Sequence, residues 1–160
     1  MQKITLLCVG KMKEKFYIQA AEEYGKRLTR FCKIEIIELP EERLPESPSP
    51  AQVEAALARE AETIRGKLPA SALVVAMCVE GKLLSSEELS DFLARRAAQG
   101  ASHVVFVIGG SFGLHSSIKE RAELRLSMSP MTFPHHLARV MVLEQIYRAC
   151  QIAAGTKYHK

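Results

Sequence analysis

The chain has 160 residues, of which 48% are hydrophobic and 25% charged, and its formal net charge is +4. This composition is typical of one globular domain spanning 1–160 and excludes a disordered chain. No apolar run reaches the ~18 residues of a membrane span, and the N-terminus has no cleavage site of a signal peptide. We therefore expect a cytoplasmic protein without membrane partners. The mild positive charge is compatible with an anionic partner but does not require one.

Apolar runs alternate with amphipathic stretches along the chain, which predicts an α/β fold with a mostly parallel sheet flanked by helices. The apolar runs predict four strands, at 4–9, 34–39, 72–79 and 104–110. The helical periods predict five helices: at 15–30, at 51–65, between Ser85 and Gly100, at 117–124 and at 137–154. Ser85 and Glu88 form a capping box that begins the third of these helices.

Three connecting segments have the composition of irregular structure. Residues 40–50 contain four prolines and predict an exposed, mobile connector. Residues 80–82, with sequence Glu-Gly-Lys, predict a turn after the third strand. The segment LSMSPMTFPHH precedes the last helix and has no regular period.

The last predicted helix is apolar around most of its circumference. A helix of this kind is buried on more than one side, which one small domain does not easily provide. A homodimer interface would bury it, and ordinary core packing is the alternative.

The four cysteines are widely spaced, with no CxxC pair and no Cys/His cluster. This spacing predicts free, buried thiols and neither a disulfide framework nor a metal site. The basic excess and all five histidines fall in residues 101–160, so we expect any contact with a polyanion or any acid–base chemistry there. Because adjacent residues point in different directions, His135 and His136 predict helix capping or packing, not chelation.

A glycine-rich turn, Gly109-Gly110-Ser111-Phe112-Gly113, follows the fourth predicted strand. Glycines at the carboxyl end of a buried strand allow a ligand to approach the backbone, although a tight structural turn has the same composition. The turn also matches the GxSxG pattern of serine hydrolases, with Glu144 and His159 in the expected order. Against a hydrolase, the chain has no HGGG-like segment and is too short for the sheet of that fold.

Several segments together resemble a known family: VGKMKEKF, EGKLLSSEE, FVIGGSFGLH, SMSPMTFPHHLARVMVLEQIYRA and the terminal YHK. They resemble the ribosomal RNA large subunit methyltransferase H family, which belongs to the SPOUT class, in order and spacing over essentially the whole chain. The resemblance implies a homodimer with a C-terminal trefoil knot and S-adenosylmethionine bound within about 72–160. It also implies methylation of N3 of pseudouridine 1915, in helix 69 of 23S ribosomal RNA, on the assembled ribosome.

The resemblance also implies site residues. The cofactor contacts carried over from the family are Met77, Gly109, Met128, Ser129, Pro130, Met131, Thr132 and Phe133. Removal of the proton on the acceptor nitrogen requires a base or a group that stabilises the anion, and His159 and Tyr158 in the tail are the candidates. The alternative is a tail that only closes the pocket or clamps the RNA. Arg139 would stabilise that anion or hold a phosphate.

Lysines at both ends of the chain are candidates for a salt-sensitive RNA track, the alternative being a solvated surface: Lys11, Lys13, Lys15, Lys157 and Lys160. Two alternatives of other classes remain open: the serine hydrolase, and a non-catalytic factor that binds RNA or the ribosome.

Overall fold

The computed structural model describes residues 1–160 as five strands and five helices. The strands are β1 (Lys3–Val9), β2 (Lys33–Leu39), β3 (Leu73–Leu83), β4 (His103–Ile108) and β5 (Leu124–Ser127). The helices are α1 (Lys15–Leu28), α2 (Pro50–Lys67), α3 (Ser86–Ala98), α4 (Ser116–Arg121) and α5 (His135–Ala153). None of the helices combines the length and apolarity that crossing a bilayer requires.

All five strands are parallel and form one sheet in the order β2-β1-β4-β3-β5. The α/β class with a parallel sheet is therefore confirmed. β1 lies between β2 and β4, with Leu6 opposite Ile36 on one side and Phe106 on the other. Because the strands are parallel, the loops that follow β1, β2 and β4 meet at one edge of the sheet, where ligands bind in such folds.

Alternate residues of each strand enter two separate cores. Leu6, Cys8 and Phe106 belong to the larger core, which contains buried residues of α1, α3 and α5. Leu7 and Val107 belong to the smaller core, which contains buried residues of α2 and α4. This alternation follows from the two-residue period of a strand and gives three layers, with helices on both faces of the sheet.

Two helices begin with capping boxes. The predicted box is confirmed: the Ser85 hydroxyl accepts from Glu88 N, and the Glu88 carboxylate accepts from Ser85 N. An equivalent box, not anticipated from the sequence, joins Ser49 and Gln52 before α2. Such N-caps stabilise a helix by about 1 kcal/mol each.

The structure corrects two of the predicted elements: the turn at residues 80–82 and the fourth helix. Residues 80–82 are not a turn, because β3 continues to Leu83 with a register shift against β5. Gly81 lies so close to β5 that an added Cβ would be 2.8 Å from the Arg125 carbonyl carbon. The fourth predicted helix is also too long: α4 ends at Arg121, and Leu124 begins the fifth strand, which the sequence analysis missed.

The proline-rich connector of residues 40–49 has no helix or strand, as predicted, but it is anchored at several points. Glu42 N donates to the Glu60 carboxylate at 2.9 Å, and the Arg59 guanidinium pairs with Glu42 at 3.2 Å. Burial raises the pKa of Glu60, while the bond from Glu42 N acts in the opposite direction. The connector is therefore tied to α2.

Helix α5 begins at His135, two residues earlier than predicted, and packs between α1 and α3. One face of α5 is buried, with Leu143 and Ile146 inaccessible to solvent. Other apolar side chains, including Leu137 and Met141, are only half-buried. Core packing thus accounts for one side of this apolar helix, and the dimer stays a prediction.

The four cysteines are free thiols, of which Cys8 and Cys32 are buried and Cys78 and Cys150 half-buried. Burial raises the pKa of both Cys8 and Cys32 to about 12. No group of three or more His, Cys, Asp or Glu side chains is arranged to hold a metal ion.

Candidate functional site

A cavity of about 530 Å³ opens at the carboxyl edge of the sheet, between the glycine turn after β4 and the loop before α5. Seven of the eight predicted cofactor contacts line it: Met77, Gly109, Met128, Ser129, Met131, Thr132 and Phe133. Pro130 belongs to the same loop but is not in the lining. The structure thus brings together residues that are up to 56 positions apart in the sequence.

The glycine turn forms one wall of this cavity because it closes on itself. Gly110 and Gly113 form an isolated bridge, and Gly113 N donates to Gly110 O at 3.1 Å. A Cβ on Gly109 would lie 2.3 Å from Gly113 O, so the turn cannot close around a side chain there. Glycine at 109 is therefore required by the shape of the wall.

Glu41 of the connector holds this turn from outside. Its Oε1 accepts a hydrogen bond from Ser111 N at 3.0 Å. A Cβ on Gly110 would lie 2.4 Å from the same oxygen, so the carboxylate packs directly against the glycine backbone. The sequence analysis missed Glu41, because an exposed glutamate in a proline-rich connector has no distinguishing pattern.

The opposite wall is the loop of residues 128–134, which is ordered by its own serines. The Ser127 hydroxyl donates to Ser129 O at 3.0 Å, and Met131 N donates to the Ser129 hydroxyl at 3.0 Å. These local bonds satisfy the backbone of an irregular segment. The side chains of Met128 and Phe133 then form apolar parts of the cavity wall.

The sequence analysis also missed cavity residues outside the two loops. Cys78 and Glu80 of β3, Lys119 of α4 and His135 of α5 all line the cavity. Lys119 pairs with the Glu80 carboxylate, which lowers the pKa of Glu80. Only the topology, which places the ends of β3 and β4 beside the start of α5, brings these residues together.

Arg139 lies in the interior and lines no part of this cavity. Its side chain is 2% exposed, with Nη1 2.5 Å from the Glu38 carboxylate and Nη2 3.0 Å from Gly10 O. Burial opposes ionisation of Glu38, but a bond from Met12 N and the Arg139 guanidinium outweigh it and lower the Glu38 pKa. Arg139 thus connects α5 to the ends of β1 and β2.

The C-terminal tail folds back on α5, away from the cavity. The Tyr158 hydroxyl donates to Glu144 at 3.2 Å, and Arg148 lies over the Tyr158 ring at 4.8 Å from its centroid. Burial, together with Glu144, raises the pKa of Tyr158. Arg148 follows Val142, the last α5 residue in the cavity lining, by six helical residues, about 9 Å along the axis.

His159 is held at both ring nitrogens. Arg148 Nη1 lies 3.2 Å from Nδ1, and Glu87 Oε1 lies 2.6 Å from Nε2. Because an arginine only donates, Nδ1 accepts here and Nε2 carries the hydrogen directed at Glu87. His159 must therefore leave Arg148 before it can accept a proton at Nδ1.

The residues of the hydrolase alternative are not assembled within the chain. Ser111 lies in the glycine turn, where its backbone N–H is bound by Glu41. Glu144 instead accepts from Arg148 at 2.7 Å, and His159 contacts Arg148 and Glu87. No observation in the structure favours this alternative.

Comparison with known proteins agrees with this architecture. Residues 2–159 match a family described as "predicted SPOUT methyltransferase". A probable methylase family protein from Haemophilus influenzae Rd KW20 is similar at 13% identity and a TM-score of 0.52, over 98% of this chain and 70% of that one.

A probable methyltransferase from Bordetella pertussis Tohama I is similar at 17% identity and a TM-score of 0.58, over 93% of this chain and 95% of that one. At these identities the two structures support the fold alone. The family match spans nearly the entire sequence, and the chain therefore belongs to the SPOUT methyltransferase family.

Proposed function

We propose that this chain is an S-adenosylmethionine-dependent methyltransferase that methylates N3 of pseudouridine 1915 in helix 69 of 23S ribosomal RNA, on the assembled ribosome. The observation that carries the proposal is the convergence of seven family-implied contacts on one cavity between the glycine turn and the loop of residues 128–134. Its site of action is then the cytoplasm, where ribosomes are found.

The cavity fits the cofactor in size and in chemistry. SPOUT methyltransferases generally use S-adenosylmethionine, and a volume of about 530 Å³ lies within the range of small-molecule sites. Met77 and Met128 offer apolar, polarizable surface to an adenine ring and a thioether. The backbone groups of the glycine turn and Ser129 provide donors and acceptors for the polar edges of a nucleoside.

The chemistry sets two requirements for the protein. S-adenosylmethionine supplies, when bound, an electrophilic methyl group on a sulfonium. The acceptor nitrogen must be held in line with it at about 3 Å, and the proton of that nitrogen must be removed or its anion stabilised. We assign the second task to His159 and Tyr158, with His159 released from Arg148 to accept the proton at Nδ1.

The proposal places this task across two copies of the chain. Within one chain the tail docks at Arg148, about 9 Å along α5 beyond Val142 of the cavity lining, and its imidazole is bonded there to Arg148 and Glu87, outside that lining. A homodimer across the half-buried face of α5, with Leu137 and Met141 in the interface, would bring the tail of one protomer towards the cavity of its partner. The trefoil knot of residues 72–160 belongs to the same proposal.

Arg139 acts in this proposal as a positioning residue. Because its guanidinium is buried against Glu38 and Gly10, it fixes the loop after β1 relative to the start of α5. The role expected from the resemblance, contact with the anion or a phosphate, would require exposure that the structure does not give it.

The test is methyl transfer from tritiated S-adenosylmethionine to ribosomes from cells that lack the modification, followed by mapping of the labelled nucleotide. We expect label on the helix 69 pseudouridine. Phe133→Ala should weaken cofactor binding, measured by calorimetry, whereas Phe16→Ala, an exposed aromatic on α1, should not. His159→Ala should reduce turnover without weakening cofactor binding.

Each other outcome points to a different conclusion. Cofactor binding without label on helix 69 would keep the methyltransferase and move its substrate elsewhere. Salt-sensitive ribosome binding without cofactor affinity would favour the non-catalytic factor. Labelling of Ser111 by a fluorophosphonate would favour the hydrolase.

A further inference from the structure

A second cavity, of about 660 Å³, lies beside the cofactor cavity at the same edge of the sheet. It is bounded by the loop after β1, the end of β2 and the first turn of α5. His135 lines both cavities and is the residue they share. A group bound in one cavity therefore lies next to a group bound in the other.

The ionisable side chains of this second cavity leave a positive charge without a partner in the protein. Glu38 is engaged by Arg139 and by Met12 N, and Glu41 accepts from Ser111 N. By contrast, the ammonium groups of Lys11 and Lys13 line the cavity without a salt bridge, although Lys11 is near enough to Glu38 to help lower its pKa. Together with Arg139 beside Glu38, the two ammonium groups exceed the carboxylates of Glu38 and Glu41 by one positive charge, which favours an anionic ligand.

The two histidines converge, contrary to the expectation from their adjacency. Their ring centroids are 4.2 Å apart, and both rings direct Nε2 at the space above Gly10. A Cβ on Gly10 would lie 3.5 Å from Oε2 of Glu41, 3.6 Å from Nε2 of His135 and 3.9 Å from Nε2 of His136. Gly10 also has a φ of +98°, so the absence of a side chain keeps both this turn and the space above it open.

One of these nitrogens lacks a hydrogen-bond partner in the protein. Nε2 of His136 is buried without one, while Nδ1 lies 3.4 Å from Glu14. Burial of an unpaired polar atom is costly, and a ligand that bonds to it removes that cost. Burial lowers the pKa of His135, and His136 and Arg139 add to this while Glu41 and Glu14 oppose it. A neutral imidazole offers one donor and one acceptor, as the edge of a nucleobase does.

We propose that this second cavity is the subsite for the acceptor nucleotide of an RNA, with Lys11 and Lys13 on its phosphates and the imidazoles of His135 and His136 facing its base. The inference rests on the proposed function, since it names the part of the same site that takes the substrate. Of the lysines in the predicted RNA track, only Lys11 and Lys13 line this cavity, and the proposal assigns the phosphate contacts to these two.

The test combines a binding probe with an activity measurement. Uridine 5′-monophosphate is titrated into the full-length protein labelled at histidine, and the imidazole signals are followed by NMR. We expect the signals of His135 and His136 to shift and those of His103 and His115 to stay. In the variant Lys11→Ala/Lys13→Ala the shift should be lost.

Activity is then measured with ribosomes that lack the modification. The Lys11→Ala/Lys13→Ala variant should raise KM at least about tenfold, leave cofactor affinity unchanged, and reduce the slope of log affinity against log salt by about 1.4, or 0.7 per phosphate. The control Lys26→Ala/Lys33→Ala removes two exposed lysines that lie outside both the cavity and the predicted RNA track, and it should change KM little.

The subsite is refuted if the probe leaves both histidine signals unchanged, or if the two double variants have the same KM. Failure of the proposed function gives a different result: the wild-type protein transfers no methyl group to the ribosome. In that case a shift of His135 and His136 by the probe still supports a nucleotide subsite, and its absence still refutes one.

Discussion

Disruption of the Arg139–Glu38 pair, in which only the arginine is buried, should destabilise the fold unequally, depending on which partner is removed. Breaking a buried ion pair by removing one partner costs about 3–5 kcal/mol. After Arg139→Met, Glu38 remains with a side chain that is 36% exposed and can be hydrated, so we expect about 3 kcal/mol. After Glu38→Ala, the guanidinium remains with 2% exposure and no counter-charge, so we expect about 5 kcal/mol.

Equilibrium urea denaturation measures both costs. With an m-value of about 2 kcal/mol/M, a loss of 3 kcal/mol lowers the midpoint by about 1.5 M. The double variant should cost less than the sum of the two single variants, because it leaves no charge unpaired. Equal costs for the two single variants, or costs under about 1 kcal/mol, would contradict the asymmetry we derive from burial.

The effect of pH on this pair follows from the lowered pKa of Glu38 in the folded state. A lowered folded pKa stabilises the protein above the unfolded pKa, and this stabilisation is lost as the pH falls through the folded value. The stability difference between wild type and Arg139→Met should thus be constant near neutral pH and shrink in acid, below the ordinary glutamate pKa of 4.5. A difference that grows in acid would assign the stabilisation to another group.

Three further predictions concern the cofactor cavity and its supports. Glu41→Ala removes the acceptor of Ser111 N, about 1 kcal/mol, so calorimetry should show roughly fivefold weaker cofactor binding, whereas Glu46→Ala in the same connector should have no effect. Cys78 is half-buried in the cavity lining, so a thiol reagent should modify it in the native protein more slowly when cofactor is present, and Cys8 should react only on unfolding. Ser85→Ala should cost about 1 kcal/mol of stability in urea, by loss of a cap that touches neither cavity.

The sequence predicts those strands and helices whose hydrophobic pattern extends over many residues. The continuous apolar runs of the central strands and the long period of α5 extend far enough to be recognised, and both correspond to elements of the structure. β5 was missed because it has four residues, of which only Leu126 and Ser127 are buried, and so short a segment shows no period. Residues 80–82 have the composition of a turn, yet they form the irregular part of β3 against β5.

The residues of the site also fall into two groups: contiguous motifs, which the sequence reveals, and long-range pairs, which it does not. The glycine turn and the loop of residues 128–134 are contiguous motifs, and the resemblance pointed to residues in both that line the cavity. Glu41 binds Ser111 across 70 positions, and Glu38 binds Arg139 across 101. Such pairs leave no local pattern, since any exposed glutamate or helical arginine looks the same until the sheet brings the segments together.

The strand order also determines when this protein can fold during synthesis. At the centre of the sheet β1 pairs with β4, and Lys3 lies opposite His103. This side of β1 therefore stays unpaired until one hundred further residues have been synthesised. At about 5–20 residues per second, roughly 70 residues between the ends of β2 and β4 take about 4 to 14 s to translate. Until then β1 and β2 expose an apolar edge in the nascent chain. Helix α5, which contributes to both cavities, is synthesised after all five strands, so both cavities are completed later than the sheet.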